Sequence, residues 1–145
     1  AKHKLTPKAV IVDSNWAALD PSIMGLGPVL SATELLKRHS LSLQDIETWE
    51  LNEAFATQVL GCLAAWNDDK FCREILGVDG AMGEIDRARL NVDGGAISLG
   101  HPVGTSGNRI VLHLVNAMKR LGTKRGIATE CIGGGQGGAM LIETV

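Results

Sequence analysis

Cys131 opens a short segment in which five of the next seven residues are glycines. Glycine lets the backbone approach a ligand closely, and N–H groups in such a loop can stabilise an oxyanion that develops during a reaction. A cysteine beside that loop could act as a nucleophile, or as an acid and base, once a neighbour tunes its pKa. A lone cysteine at a strand end is nevertheless more often a small buried residue. Cys131 is therefore a candidate only together with a partner residue.

The segment 133–138 also satisfies the pattern G-x-G-x-x-G of dinucleotide-binding loops. A loop of that kind opens a helix whose N terminus holds the pyrophosphate, and an acidic residue for the ribose follows about 20 positions later. Here the apolar residues 139–145 predict a strand instead. A hairpin turn alone needs fewer than five glycines. The segment therefore favours the rim of an active site over a phosphate-binding loop.

Asn52 and His101 are the polar residues that could complete such a site. His101 lies in a glycine-rich loop before a predicted helix, and histidine readily exchanges a proton near neutral pH. Asn52 directly follows a predicted strand, where it could also be an ordinary helix cap. If the strands are parallel, Asn52, His101 and Cys131 meet at one edge of an α/β sheet, where such folds bind ligands. The remaining histidines are predicted to be structural or solvated: His3, His39 and His113.

Strands and helices must position these residues, and apolar periodicity locates them along the chain. Strands are predicted over 9–12, 46–51, 125–130 and 139–145, and helices over 29–38, 53–66 and 108–121. The last two strands flank the glycine segment as a hairpin. This order predicts an α/β fold in which helices cover a sheet that is parallel at first and has an antiparallel edge.

Three local signals refine this outline. Ser42 and Asp45 have the spacing of a capping box before the second strand. Gly122 is placed to end the last helix in a left-handed conformation. Residues 67–90 are mixed in charge and show little periodicity, which is typical of an excursion or insertion.

Composition excludes several classes of partner. The chain has 145 residues, which fits one domain, and its 14 basic and 16 acidic residues give a net charge of -2. Neither nucleic acid nor an anionic membrane surface is therefore expected to bind, and no apolar run is long enough to span a membrane. The three cysteines lack C-x-x-C spacing, so we expect a reducing compartment and no metal site: Cys62, Cys72 and Cys131.

Four motifs are similar to those of a known family. Residues 51–56 read L-N-E-A-F-A, residues 94–107 read G-G-A-I-S-L-G-H-P-V-G-T-S-G, and residues 131–137 read C-I-G-G-G-Q-G. These segments resemble the three C-terminal motifs of thiolases, and M-G-L-G-P at 24–28 supports the resemblance. The resemblance runs from about Pro7 to the end of the chain with order and approximate spacing preserved.

The resemblance implies an architecture. Residues 1–145 would be a thiolase C-terminal domain with a three-layer α-β-α fold around a mixed, mostly parallel five-stranded sheet. The N-terminal domain that carries the acylated cysteine, and the loop domain that binds much of coenzyme A, would lie outside this chain. Two similar halves of a thiolase pack around central helices. The N-terminal half is thus an implied partner, in cis or in trans, and a homo-oligomer is expected.

The resemblance also implies an activity, acyl transfer between coenzyme A thioesters. The reaction would be thiolysis of a 3-ketoacyl-CoA or the reverse Claisen condensation of acetyl-CoA. Acyl-CoA and CoA would be the substrates, and no cofactor or metal is implied. We expect a cytoplasmic location in a bacterium, or an organelle matrix in a eukaryote. The chain by itself is expected to be inactive because the nucleophile is missing.

Roles for single residues follow from matching positions in the motifs. His101 would activate the nucleophilic cysteine and donate a hydrogen bond to a thioester oxygen, while Cys131 would carry protons as acid and base. Asn52 would hold a water that forms one oxyanion hole with His101, and the backbone N–H of Gly133 would contribute to the other. Two further side chains would line the acyl pocket: Met24 and Phe55.

Other functions remain open from the residues alone. Cys131 could itself be acylated in a Cys-His hydrolase, with His101 as base and glycine N–H groups as the oxyanion hole. The apolar stripe over 104–121 could instead serve a non-catalytic assembly module, since it requires cover from another layer or subunit. Among relatives of thiolases, sterol-carrier-linked enzymes and ketosynthases are alternatives, but the N-E-A-F motif and the single candidate histidine favour ordinary thiolases.

Overall fold

A four-stranded sheet forms the middle layer of the fold in this computed structural model, which describes residues 3–145. Its strands are β1 (Ala9–Ala18), β2 (Thr48–Leu51), β3 (Arg125–Ile132) and β4 (Gln136–Thr144). They lie in the order β1-β4-β3-β2. β2 and β3 are parallel, whereas β4 is antiparallel to both β3 and β1. The last strand of the chain therefore lies inside the sheet.

Helices connect and cover these strands. The long ones are α1 (Gly27–Arg38), α2 (Ala56–Trp66) and, further along the chain, α5 (Ser106–Leu121). Two short helices precede α5: α3 (Asp69–Phe71), which continues as a π turn over Cys72–Leu76, and α4 (Ala96–Leu99). Single 3-10 segments cover Pro21–Leu26, Leu43–Asp45 and Arg87–Arg89. None of the helices within residues 3–145 is both long and apolar enough to cross a membrane.

Apolar side chains form a core on each face of the sheet. The larger core lies under α1 and α2 and contains Trp49 and Trp66, whose ring centroids are 5.7 Å apart. The smaller core lies under α5, where Ile110, Leu114 and Met118 pack against β3 and β4. Burial of each large apolar side chain contributes about 1.5–3 kcal/mol. The two cores hold together a three-layer α/β domain, the class that the sequence predicts.

The sheet differs from the prediction in strand number and direction. Residues 3–145 form a sheet of four strands rather than five, and two of its three strand pairs are antiparallel, so it is not mostly parallel. The reason is that β4, the return arm of the hairpin with β3, also pairs with β1 along its whole length. This pairing runs from Ala9 opposite Thr144 to Ala18 opposite Gln136, so β1 extends well beyond the predicted 9–12.

The local signals have mixed outcomes. Gly122 ends α5 in the left-handed conformation, as predicted. The Asp45 carboxylate accepts from the Ser42 N–H at 2.7 Å, which confirms the capping-box contact, although it closes one 3-10 turn rather than a longer helix. Residues 67–90 bury Cys72 and Ile85 in the larger core, so this segment is packed rather than loose. Its status as an insertion stays a prediction.

The start of α1 lies directly on β4, next to the glycine hairpin. A Cβ atom built on Gly137 would overlap the backbone of Gly27, and one built on Gly27 would overlap the backbone at Gln136 and Gly137. Neither residue therefore tolerates a side chain without movement of the backbone. The contact fixes α1 against the strand that returns from the candidate active-site loop.

Gly137→Ala is expected to lower the free energy of unfolding by about 1–3 kcal/mol, because the new methyl group must push α1 away from β4. Urea denaturation of the purified chain measures this change. Gly61→Ala, inside α2, is the matched control. The Cβ atom added at Gly61 would lie 3.6 Å from the Leu26 side chain, which is an ordinary van der Waals contact. That variant should gain up to about 1 kcal/mol from helix propensity. Equal stability of the two variants would contradict the close contact.

Candidate active site

Asn52 lies at the carboxyl end of β2 and is buried. Its N–H donates to the carbonyl of Thr129 at 2.9 Å, so the parallel pairing with β3 continues one residue past the strand. Its Oδ1 accepts from Arg109 Nη2 at 3.3 Å, and its Nδ2 lies 3.4 Å from Nε2 of His101. The Asn52 amide is therefore held on both sides within the edge of the sheet.

His101 lies in the loop between α4 and α5. Its Nδ1 is 2.5 Å from Oγ of Ser106, the buried first residue of α5. One ring nitrogen is thus anchored on the helix, and the other faces Asn52. The fold brings together two predicted site residues that are 49 positions apart in the sequence.

Cys131 lies near the end of β3, on the strand that pairs in parallel with β2. Leu51 is opposite Thr129, so Asn52 and Cys131 both follow this last pair at the same edge of the sheet. Burial raises the pKa of the half-buried Cys131 thiol, and the Glu130 carboxylate adds to that rise. Within residues 3–145 the thiol makes no hydrogen bond to His101. These features favour a protonated thiol over an activated thiolate nucleophile.

Gly133 begins the turn that joins β3 to β4, over residues 133–135. A Cβ built on Gly133 would meet no atom within 4 Å, so open space lies beside it. The turn is also attached to the residue that follows β1, because the N–H of Leu19 donates to the carbonyl of Gly135 at 2.9 Å. The space on the Cβ side of Gly133 is thus free of protein atoms.

Met24 and Phe55 lie on neighbouring elements. Met24 is in the 3-10 segment over 21–26, which packs on α2, and Phe55 is the residue that precedes α2. The predicted helix start at residue 53 is wrong: α2 begins at Ala56 because Phe55 has extended backbone, with φ -147° and ψ 144°. Met24 is 36% and Phe55 61% exposed, so in this chain both present apolar surface rather than a closed pocket.

Glu53 holds the loop that leads to His101, a role that its sequence position at an expected helix start did not suggest. Its Oε1 accepts from Asn91 Nδ2 at 2.9 Å, and its Oε2 accepts from the N–H of Ile97 at 3.2 Å. Gly95 has no room for a Cβ because the Glu53 carboxylate occupies that space. Asn52 thus contacts His101 directly, while Glu53 holds the loop before it.

Asn91 completes this attachment along the outer edge of β2. Its Oδ1 accepts from the Leu51 N–H at 2.9 Å, and its Nδ2 donates to the Leu51 carbonyl at the same distance. The side chain thus replaces a neighbouring strand at the last residue of β2. Asparagine is a residue type that tolerates the left-handed conformation found at Asn91, with φ 47°. No sequence pattern marked this contact across 40 residues.

A second polar group lies behind Asn52. Glu50 is buried, and its Oε1 is 2.7 Å from Nδ1 of His113 on α5, whose Nε2 is 2.9 Å from Asp93 Oδ2. Burial raises the pKa of Glu50, while the charges of His113 and Arg109 oppose that rise. His113 is therefore a structural residue that joins α5 to β2. Among the residues described, no three His, Cys, Asp or Glu side chains are grouped so as to hold a metal ion.

Comparison with known proteins agrees with this architecture. The profile of the family described as the thiolase C-terminal domain matches residues 5–144. The human mitochondrial 3-ketoacyl-CoA thiolase is 43% identical over 143 residues, which cover 99% of this chain and 32% of the human protein. A 3-ketoacyl-CoA thiolase of Aliivibrio fischeri is 51% identical over 124 residues, covering 86% of this chain and 28% of that protein.

Comparison with solved structures also covers nearly the whole of this chain. A crystal structure of the human mitochondrial 3-ketoacyl-CoA thiolase in complex with CoA superposes with a TM-score of 0.80 at 43% identity, covering 99% of this chain and 32% of that one. A three-layer α/β domain with these motifs at one sheet edge is a thiolase-type half. The chain belongs to the thiolase family, as a C-terminal domain. It spans about a third of the length of the curated relatives it matches.

Glu53→Ala is expected to loosen the loop before His101, because the N–H of Ile97 and the Asn91 amide would lose their acceptor at a cost of about 1–3 kcal/mol. Hydrogen exchange at Ile97 should accelerate about tenfold or more, which corresponds to about 1.4 kcal/mol. Glu34→Ala is the control, since Glu34 forms an exposed 3.3 Å pair with Lys37. Unchanged exchange at Ile97 in both variants would argue against the attachment.

Cys131 should react slowly with iodoacetamide at about pH 8, because alkylation needs the thiolate and the raised pKa keeps the thiol protonated. Its rate should still rise at pH values where that of a free cysteine, with a pKa of about 8.5, has levelled off. Burial raises the pKa of Cys62 to about 12, so Cys62 should react only after unfolding. Mass spectrometry of labelled peptides measures each site. If Cys131 were instead an activated nucleophile, its labelling would be rapid and the labelling rate would stop rising with pH below about pH 7.

Proposed function

We propose that this chain is the C-terminal part of an acyltransferase that moves acyl groups between coenzyme A thioesters. The observation that carries the proposal is the contact between Asn52 and His101 at the sheet edge where β3 delivers Cys131 and the glycine turn. The names of the similar proteins support the substrate class: 3-ketoacyl-CoA thiolase, and in one structure a complex with CoA. Thiolysis of a 3-ketoacyl-CoA, or its reversal, is the reaction that fits this set of residues.

His101 and Cys131 divide the proton transfers in this proposal. His101 takes the proton of a nucleophilic thiol that lies outside this chain, and it then donates a hydrogen bond to the thioester oxygen. Asn52 holds a water that completes this oxyanion hole, and the N–H of Gly133 serves the second one. Cys131 gives its proton to the carbon that leaves as an enolate and recovers a proton from the thiol of CoA. A raised thiol pKa suits that acid role.

Met24 and Phe55 are proposed to line the acyl pocket once another part of the enzyme covers them. Both are accessible in this chain: Met24 lies in the 3-10 segment that packs on α2, and Phe55 directly precedes α2. The proposed partners are acyl-CoA, CoA, the N-terminal half of the enzyme and a further copy in a homo-oligomer. The chemistry requires no cofactor or metal besides the CoA thioesters. Mitochondrial and bacterial names among the relatives support a location in an organelle matrix or the cytoplasm.

A Cys-His hydrolase has weaker support than acyl transfer. Such an enzyme needs its base in contact with the nucleophilic thiol, whereas His101 contacts Asn52 and Ser106. The raised pKa of Cys131 also opposes thiolate formation. A purely structural module would retain the exposed apolar surface, but it would have no need for a buried amide held against a histidine.

A chimera tests the proposed activity. This chain replaces the matching C-terminal segment of the Aliivibrio fischeri thiolase, which supplies the rest of the enzyme, and thiolysis of acetoacetyl-CoA by CoA is measured. We expect activity in the chimera and negligible turnover by this chain alone. His101→Asn and Cys131→Ala should each lower kcat by about 10²–10⁴, the usual range for loss of a general acid or base.

His39→Asn serves as the matched control in that chimera. His39 contacts Asp13 on the surface and belongs to no part of the proposed site, so its replacement should leave kcat unchanged. Circular dichroism and melting temperature establish that every variant is folded. A folded chimera whose activity survives both site substitutions would contradict the proposed roles, and acetoacetyl-CoA thiolysis by this chain alone would contradict its dependence on an N-terminal half.

A further inference from the structure

Arg109 lies in the first turn of α5, and its guanidinium is placed against the candidate active site. Nη2 donates to Asn52 Oδ1 at 3.3 Å, while Nε and Nη1 are buried and have no hydrogen-bond partner within residues 3–145. Its charge opposes the rise that burial causes in the pKa values of Glu50 and Glu130. Burial of N–H groups without partners is unfavourable. Packing alone is therefore a poor explanation for an arginine at this position.

The hydrogen-bonding capacity of Arg109 fixes the direction of a chain of contacts. A guanidinium can only donate, so the atom of Asn52 that faces it must be the carbonyl oxygen. The NH2 group of Asn52 then faces His101 Nε2 at 3.4 Å, and this nitrogen must accept. In a neutral imidazole the proton is then on Nδ1, which donates to Ser106 Oγ at 2.5 Å. A serine hydroxyl both donates and accepts, so Ser106 sets no direction of its own.

We propose that Arg109 is a positioning residue that, through the Asn52 amide, selects the His101 tautomer with the proton on Nδ1 and the lone pair on Nε2. The cation sets this direction at one end of the chain of contacts, and Ser106 receives the proton-bearing nitrogen at the other. Arg109 need touch neither substrate nor nucleophile to have this effect.

This selection matters because the proposed function, on which the catalytic part of the inference rests, requires Nε2 to accept a proton. A histidine held in the other tautomer would present an N–H to the incoming thiol and could not act as its base. The tautomer of His101 can be measured in this chain alone, without any enzyme turnover. Failure of the catalytic proposal and failure of the tautomer proposal are therefore distinguishable.

The test is ¹⁵N NMR of the chain labelled at histidine, recorded above the midpoint of each histidine titration as the same spectra define it. His101→Asn assigns the signals. In the unaltered chain and in Arg109→Lys, which keeps a donor and a positive charge, Nδ1 of His101 should carry the proton. Arg109→Met should produce a mixture of tautomers. Asn52→Asp should invert the preference, because a carboxylate only accepts and Nε2 must then donate.

Arg120→Met is the matched control from the same helix, since Arg120 contacts Asp93 and not Asn52. It should leave the His101 signals unchanged. In the chimera, Arg109→Met should lower kcat a hundredfold or more with KM little changed, and Arg109→Lys should restore most of the loss. An unaltered Nδ1–H tautomer in both Arg109→Met and Asn52→Asp overturns the inference, whatever the activity. The expected tautomers in an inactive chimera would leave the inference standing and count against the proposed function alone.

Discussion

Thr48–Leu51 pair in parallel with Gly126–Thr129, and the candidate site depends on this four-residue pairing of β2 with β3. Parallel strands end at the same edge of a sheet, so the pairing brings Asn52 and Cys131 to one side although 79 positions separate them in the sequence. The alternation of β2 fixes its register: Trp49 and Leu51 lie in the larger core, while Glu50 contacts His113 on α5. A shift of β2 by one residue would turn Trp49 and Leu51 towards α5 and Glu50 into the apolar core, which is strongly unfavourable because both faces are buried.

Polar side chains are buried on the face of the sheet that α5 covers, and they link the stability of the domain to the geometry of the candidate site. Glu50 and Asn52 are buried at the end of β2, where Glu50 contacts His113 of α5 and Asn52 contacts Arg109 in the first turn of that helix. Buried charges are tolerated when they are paired and hydrogen-bonded, and removal of one partner leaves the other at a high cost. The contacts that hold α5 against β2 therefore include the one that holds the Asn52 amide.

Apolar surface surrounds the site and continues over the α5 face. Val103 is fully exposed beside His101, and a groove between α5 and the β1–β4 pair is lined by Trp16, Ile110 and Met140. Contiguous exposed apolar surface is a frequent feature of sites where another domain, subunit or ligand binds. It fits the proposed position of a second half, and Met24 and Phe55, which are proposed to line the acyl pocket, are also exposed.

Apolar periodicity and turn residues let the sequence alone determine the α/β class and the three long helices to within three residues at their starts, and they marked the residues of the candidate site. Asn52, His101 and Cys131 stand out because strand ends, glycine loops and titratable groups are visible without any partner. The sequence could not determine the strand order or the dominance of antiparallel pairs, since β4 inserts between β1 and β3 by contacts across more than a hundred residues. The contacts of Glu53 with the N–H of Ile97, of Arg109 with Asn52 and of Ser106 with His101 likewise appeared only in the tertiary structure. The partner of a carboxylate or guanidinium group is often distant in the sequence and is brought close only by folding. The periodicity of the sequence indicates only which face of its own helix or strand a residue occupies.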